Sequence, residues 1–280
     1  MDETLAPVAA HYSGDRLLEK IAAGIDRLGL APVSFGPEEL APVDEFHIGG
    51  LPATENLVAQ MGISPGDAVL DLGCGIGGPA RYIAKRTGAR VTGLDLTESF
   101  VRTGNVLSDW CGLAHQVTLE QGNALELPFE ADSFAAAYMM HVGMNIADKA
   151  GLAAEVARVL NPGGTFAIYD VMQVGEGAIA FPVPWASTPS ISALGSPGVY
   201  RGALEAAGFL KLAEADRTEV ALAFFETMRA AMAAADDVPP LGLHLLMGED
   251  QDAKVANMIE NVRSGLIAPV EMIARLPGGS

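Results

Sequence analysis

Apolar positions recur along this chain with two periods. Between residues 11 and 29, Leu17, Leu18, Ile21, Ile25 and Leu28 fall at helical spacing, separated by Glu19, Lys20 and other polar residues, which predicts an amphipathic leading helix. Residues 31–43 carry Pro32, Pro37 and Pro42 with Gly36 and read as an irregular linker or flap, ahead of a helix over 52–61. After Ser64-Pro65-Gly66-Asp67, short apolar runs alternate with helical patterns. Strands are expected near 68–72, 90–94, 116–121, 134–139 and 165–169, and helices near 78–87, 98–111 and 149–160. The alternation predicts a parallel sheet covered on both faces, and Asn161-Pro162-Gly163-Gly164 ends the last of these helices before its strand.

The pattern changes over residues 173–198, where Phe181-Pro182-Val183-Pro184-Trp185 lies in a segment with little periodicity. An insertion of that length reads as a functional lid. Helical patterns at 199–207 and 222–234 and strand-like stretches near 210–218 and 267–274 complete the chain. A length of 280 residues suits one domain over 1–280: N-terminal helices and flap (1–62), a cofactor-binding core (63–172), the lid (173–198) and C-terminal helices with final strands (199–280).

The net charge of −18 argues against nucleic acid or an anionic membrane surface as a partner. The N-terminus lacks the pattern of a signal peptide and no apolar run is long enough to span a bilayer, so a cytoplasmic location is expected; a homodimer is compatible with this composition. Cys74 and Cys111 show no metal-ligand or paired spacing and read as reduced thiols, and no metal site is expected.

The chemistry concentrates in Val69-Leu70-Asp71-Leu72-Gly73-Cys74-Gly75-Ile76-Gly77-Gly78, where an apolar strand runs into a glycine turn. Glycines 73, 75 and 78 fit the spacing that lets backbone N–H groups approach a nucleoside cofactor, a weak signal alone and one shared with NAD-binding proteins. Asp71 sharpens it, because a carboxylate at the strand tip repels a pyrophosphate and attracts an ammonium or sulfonium. Asp95 closes the second strand, placed either to accept from both ribose hydroxyls or to cap the following helix. Asn123 offers a polar edge for adenine, or a loop turn, while Leu96 and Ala124 offer apolar faces.

Together, Asp71-Leu72-Gly73-Cys74-Gly75, Asp95, Gly122-Asn123-Ala124 and Arg158-Val159-Leu160-Asn161-Pro162-Gly163-Gly164 resemble a class I S-adenosylmethionine-dependent methyltransferase over roughly residues 44–218. The phrasing of Gly77-Gly78-Pro79-Ala80-Arg81-Tyr82 and Leu127-Pro128-Phe129 is similar to the small-molecule branch, which includes sarcosine and dimethylglycine N-methyltransferases and ubiquinone C-methyltransferases. The resemblance implies a Rossmann-like doubly wound, seven-stranded, mostly parallel α/β sheet that finishes with an antiparallel hairpin. It also implies that Gly73, Cys74 and Gly75 line the methionine end of the cofactor, with Asp95 on ribose and Asn123 and Ala124 beside adenine. Many relatives have Asp where this chain has Asn123, which keeps an acceptor and removes a charge.

His141, at the carboxyl end of the fourth strand, is the leading candidate for a catalytic base or for a contact to backbone or cofactor; His47 and Tyr12 are further catalytic candidates. Asp170 is placed to bind an acceptor amine or cap a turn. Met139, Met140, Met144, Met172 and Met247, with Phe181 and Trp185, read as pocket or core, and His244 as a residue closing the same pocket. The expected function is methyl transfer to a small-molecule acceptor, foremost an amine nitrogen. The alternatives are C- or O-methylation of a quinone-like or other aromatic metabolite, or a non-catalytic cofactor-binding protein of the same fold.

Overall fold

The computed structural model describes residues 7, 8, 16–235, 237–248 and 250–279. Three N-terminal helices, α1 (Leu17–Arg27), α2 (Pro37–Asp44) and α3 (Gly50–Met61), precede the alternating core. The core runs β1 (Ala68–Leu72), α4 (Gly78–Thr87), β2 (Arg90–Asp95), α5 (Glu98–Trp110), β3 (Val117–Gln121), β4 (Phe134–Met140), α6 (Lys149–Val159) and β5 (Leu160–Gln173). It finishes with α7 (Pro197–Ala206), β6 (Lys211–Asp216), α8 (Thr218–Ala234), α9 (His244–Met247), α10 (Gln251–Arg263) and β7 (Ile267–Arg275).

The seven strands lie in the order β3-β2-β1-β4-β5-β7-β6. All neighbours are parallel except β7, which runs antiparallel to both β5 and β6. The chain winds outward from β1 to β3, then returns to the other side of β1 as β4. That reversal opens a crevice beyond the carboxyl ends of β1 and β4, the place where open α/β sheets bind ligands. The strands alternate between two buried layers: Leu70, Leu72, Ala137 and Met139 face one, and Val69, Ala136, Tyr138 and Met140 the other. Burial of both faces explains why these strands read as continuous apolar runs. Among the described residues, no helix is long and apolar enough to cross a membrane.

The structure departs from the sequence pattern in four places. Residues 37–44 form a helix rather than an irregular flap, because Pro37 occupies its first turn, where the missing N–H costs nothing. Glu39 accepts from the Gly36 N–H at 2.8 Å, and Leu40 and Val43 are buried, which offsets the cost of Pro42 inside the helix. The Asn161-Pro162-Gly163-Gly164 break lies within an extended β5 and shows as a shift in the pairing with β4 between Phe134 and Ala136. Gly163 takes φ +80° there and donates its N–H to Pro277 O at 2.7 Å, so the chain bends without losing its partners. The two final strands pair antiparallel as expected, yet they are separated in sequence by α8, α9 and α10 instead of forming a hairpin. Helix α10 escaped the periodicity because Met258 and Val262 are its few buried apolar residues, and Asn261 and the stem of Lys254 complete its inner face.

One buried cation ties the N-terminal helices to the core. The Arg81 side chain of α4 is 0 % exposed and pairs with Asp44 of α2, Nη2 to Oδ1, at 2.8 Å. The same Nη2 donates to Ile76 O at 2.7 Å, while Nη1 donates to Gly104 O and Ser108 Oγ of α5 at 3.0 and 3.2 Å. We predict that Arg81→Met, which leaves Asp44 buried and unpaired, lowers stability by about 3–5 kcal/mol, and that adding Asp44→Leu recovers most of the loss. Urea unfolding midpoints of the single and double variants check this.

Candidate active site

The turn after β1 is held by its neighbour strand. Gly73 and Cys74 donate their N–H groups to Leu94 O at 2.7 and 3.1 Å, and Gly75 N–H donates to Asp95 Oδ2 at 2.9 Å. Gly73 has φ +69°, and a Cβ there would lie 2.4 Å from a Val142 methyl, so only glycine fits. Gly78 is required for another reason: its Cβ would meet Asp44 O at 2.6 Å, where α2 docks on the start of α4. Asp95 Oδ1 accepts from the Thr97 N–H at 2.8 Å. Its cap-like contact and its contact to the turn therefore coexist, each oxygen taking one backbone donor and keeping a further acceptor site.

A cavity of about 670 Å³ opens over these strand ends. Asp71, Gly73, Cys74 and Gly75 form its floor, with Asp95, Leu96, Asn123 and Ala124 along one wall. His141 and His47 face the same space. The structure thus brings the expected cofactor residues together with His141 and His47, while Tyr12 lies outside the described residues. Asn123 spends its Oδ1 on the Leu125 N–H at 3.0 Å, which is the loop-turn arrangement, while still lining the cavity. Burial raises the Cys74 thiol, with Asp71 and Asp95 adding to the effect, so this cysteine is an inert lining group.

The electrostatics of the floor are acidic and dehydrated. Burial pushes the Asp71 carboxyl up to about 7, and its Oδ2 has no hydrogen-bond partner. Such an oxygen, beside backbone that can approach a ligand at Gly75, suits a cationic cofactor group. His141 is the first residue past β4 and has φ +56°, a strained conformation for a residue with a side chain. It is held there by its own N–H, which donates to Tyr169 O at 2.7 Å, and its ring lies 5.2 Å from the Tyr169 ring. Its Nε2 is enclosed without a partner. Burial drives the His141 imidazole well below its ordinary value and lowers His47 to about 4, so both are neutral near pH 7.

Several pocket assignments need correction. Asp170 does not line the cavity: it is buried, accepts from the Tyr200 hydroxyl at 2.6 Å and from the Val171 N–H at 3.1 Å, and takes the Gly143 N–H that opens the turn after β4, which is the turn-capping alternative. Met139 and Met172 belong to the core, and Phe181 and His244 lie outside the cavity lining. Met140, Met144, Met247 and Trp185 do line it. The predicted lid is a packed cap, because Trp185 is 1 % exposed, donates its Nε1–H to Ser192 Oγ at 3.0 Å, and gives its carbonyl to Asn145 Nδ2 at 2.9 Å. Sequence reasoning missed the far wall, where Phe224, Phe225 and Met228 of α8 meet Met258 of α10. It also missed Glu45 and Thr54, whose contact spans nine residues across a turn and follows no period.

Comparison with known proteins agrees with this geometry. Residues 70–168 match the family model described as a methyltransferase domain. A sterol 24-C-methyltransferase of Gibberella zeae is 41% identical over 114 residues, covering 41% of this chain and 30% of that protein. The chain therefore spans about a third of the length of such curated relatives. Among solved structures, a geranyl diphosphate C-methyltransferase from Streptomyces coelicolor superposes with a TM-score of 0.70 at 21% identity, over 98% of each chain. A phosphoethanolamine N-methyltransferase from Haemonchus contortus, solved with S-adenosyl-L-methionine, gives a TM-score of 0.68 at 20% identity, over 91% of this chain and 59% of that one. The chain carries a class I methyltransferase domain of the S-adenosylmethionine-dependent kind, in the fold its motifs implied.

The buried carboxyls set a pH signature for the ligand-free protein. Burial raises Glu45 to about 8 and Asp71 and Asp170 to about 7, so the folded state holds protons that the unfolded chain has already released. Stability is then lost as pH rises through those values, whereas the lowered His47 works the opposite way only below about 6.5. Melting temperature is expected to fall between about pH 6.5 and 8, with a shallower fall in Asp170→Asn. A flat wild-type profile would contradict this assignment.

Proposed function

We propose that this protein transfers a methyl group from S-adenosylmethionine to a carbon atom of a bulky, apolar acceptor that carries no phosphate. One observation carries the reading: the cavity continues from its acidic floor into a chamber walled by Phe224, Phe225, Met228, Trp185 and Met258, and its described lining contains no lysine or arginine. Apolar burial at about 25 cal/mol per Å² would drive binding of a hydrocarbon skeleton there, and a diphosphate would find no cation. The likeness to a sterol 24-C-methyltransferase supports a carbon acceptor of this kind.

The cofactor supplies a methyl carbon on a positively charged sulfur, which an electron-rich acceptor displaces. The protein's part is to bind and orient. Asp95 would accept from the ribose hydroxyls, Asp71 would face the cationic end, and Leu96 and Ala124 would hold the adenine between apolar surfaces. His47 serves as the acceptor of the proton released from the methylated product, with His141 shaping the adjoining wall. Catalysis then rests on in-line positioning in a site shielded from water and on one neutral imidazole.

An amine nitrogen is the second reading. Asp148 at the cavity rim and the three carboxylates Asp44, Asp71 and Asp95 favour a cationic acceptor electrostatically, although Asp148 is exposed and engaged with the Gly151 N–H at the start of α6.

Methyl-labelled S-adenosylmethionine with cycloartenol, sarcosine and geranyl diphosphate separates these readings. Label is expected in the first. Label confined to sarcosine would establish the amine reading, and label in geranyl diphosphate would refute the phosphate-free acceptor. Asp95→Ala is expected to weaken cofactor binding by about 1.5–3 kcal/mol, the worth of hydrogen bonds to a charged group, as read by calorimetry with S-adenosylhomocysteine. Unchanged affinity in a folded variant would remove Asp95 from the ribose site.

A further inference from the structure

His47 owes its orientation to a buried group that composition and motif do not single out. Its Nε2 has three polar neighbours: Gly50 O at 3.1 Å, Thr54 Oγ1 at 3.2 Å and Glu45 Oε2 at 3.5 Å. A carbonyl can only accept, and the Thr54 hydroxyl proton is already given to Glu45 Oε2 at 2.6 Å. Nε2 must therefore carry the proton. Nδ1, which bonds no described group, is left with its lone pair on a ring that lines the cavity.

We infer that Glu45, acting with Thr54, is the positioning residue of His47: it holds the imidazole with Nε2–H turned into the protein and supplies the negative charge that the imidazolium needs once Nδ1 has taken a proton. This rests on the reading of His47 as proton acceptor. In the step so assisted, the acceptor's electron pair forms the bond to the methyl carbon and the S–CH₃ bond breaks with its pair remaining on sulfur. The product's proton passes to Nδ1. No further reactant is needed.

The surroundings make Glu45 responsive. It is buried between α2 and α3, beside Asp44 and Arg81 and within the field of Asp71 from β1, while His141 and Tyr169 face His47 from β4 and β5. Burial raises Glu45 to about 8, so unless a cation enters the cavity the carboxyl keeps its proton at neutral pH. A positive charge in the cavity would favour its ionisation and so prepare His47.

The test needs no acceptor. In ¹⁵N-histidine NMR of the free protein, with His47 assigned by its loss in His47→Asn, we expect the Nε2–H tautomer and a step in the His47 shifts between about pH 7 and 9 as Glu45 titrates. The step should vanish in Glu45→Gln. An Nδ1–H tautomer, no step in the wild type, or a step that survives Glu45→Gln would each overturn the inference. If Glu45→Gln does not fold, Glu45→Asp decides, since its step must move; an unmoved step overturns the proposal.

In turnover with cycloartenol, Glu45→Gln is expected to lower kcat on the order of tenfold with KM for the cofactor unchanged, and to add nothing to His47→Ala. Unaltered turnover in His47→Ala, with the NMR step intact, would sink the proton-acceptor reading while leaving the Glu45–His47 geometry standing. A loss in His47→Ala without any step would sink the role of Glu45 alone.

Discussion

The guanidinium of Arg81 is the contact on which the rest of the site depends. It binds Asp44, the carbonyl of Ile76 in the glycine turn and the carbonyl of Gly104 in α5, so three elements that share no strand pairing are referred to one group. A buried ion pair costs most of its Coulombic gain in desolvation, and its consequence here is geometric. It places the end of α2 against the start of α4, and with it Phe46 and His47 over the cavity. The small residues follow from that approach: a Cβ on Gly78 would strike the Asp44 backbone, and one on Gly104 would strike Ile76 O at 2.6 Å.

A second constraint is charge placed where water cannot reach it. Asp71 and Glu45 lie in a dehydrated acidic region, and the neutral imidazoles of His47 and His141 share it. Such a region is costly when empty and favourable when a cation enters, because the desolvation penalty is offset only by an opposite charge. The opposite end of the same cavity is apolar and closed by the Trp185 cap together with α8 and α10. Polarity therefore falls across one continuous cavity, from the acidic floor to the apolar wall.

The core was legible because its signals are local. Val69-Leu70-Asp71-Leu72 followed by Gly73 and Gly75 encodes a buried strand and a tight turn within ten residues, and Asp95 and Asn123 repeat the position at the next two strand ends. The register of a parallel sheet then brings those positions side by side, so Asp71, Asp95 and Asn123 meet as expected. Helix α2 was hidden by its prolines, whose effect depends on where in the helix they fall. Asp170 was open to two readings because β5 runs on to Gln173, past the expected strand end, and there Tyr200 from α7 and the backbone of Gly143 claim its carboxylate instead of an acceptor.

The alternation of apolar runs and the glycine turn, both set by neighbours a few residues apart, determined the sheet, its crevice and the class of cofactor. Only the tertiary structure decided how that crevice is completed. The contacts of Glu45 with Thr54, of Arg81 with Asp44 and of Trp185 with Asn145 join segments with no common period, and α8 and α10 reach the apolar end of the cavity from beyond the sixth strand. Spacing along the chain specifies which face of an element is buried. It does not specify which distant element covers that face, and the apolar end of the cavity is made of those coverings.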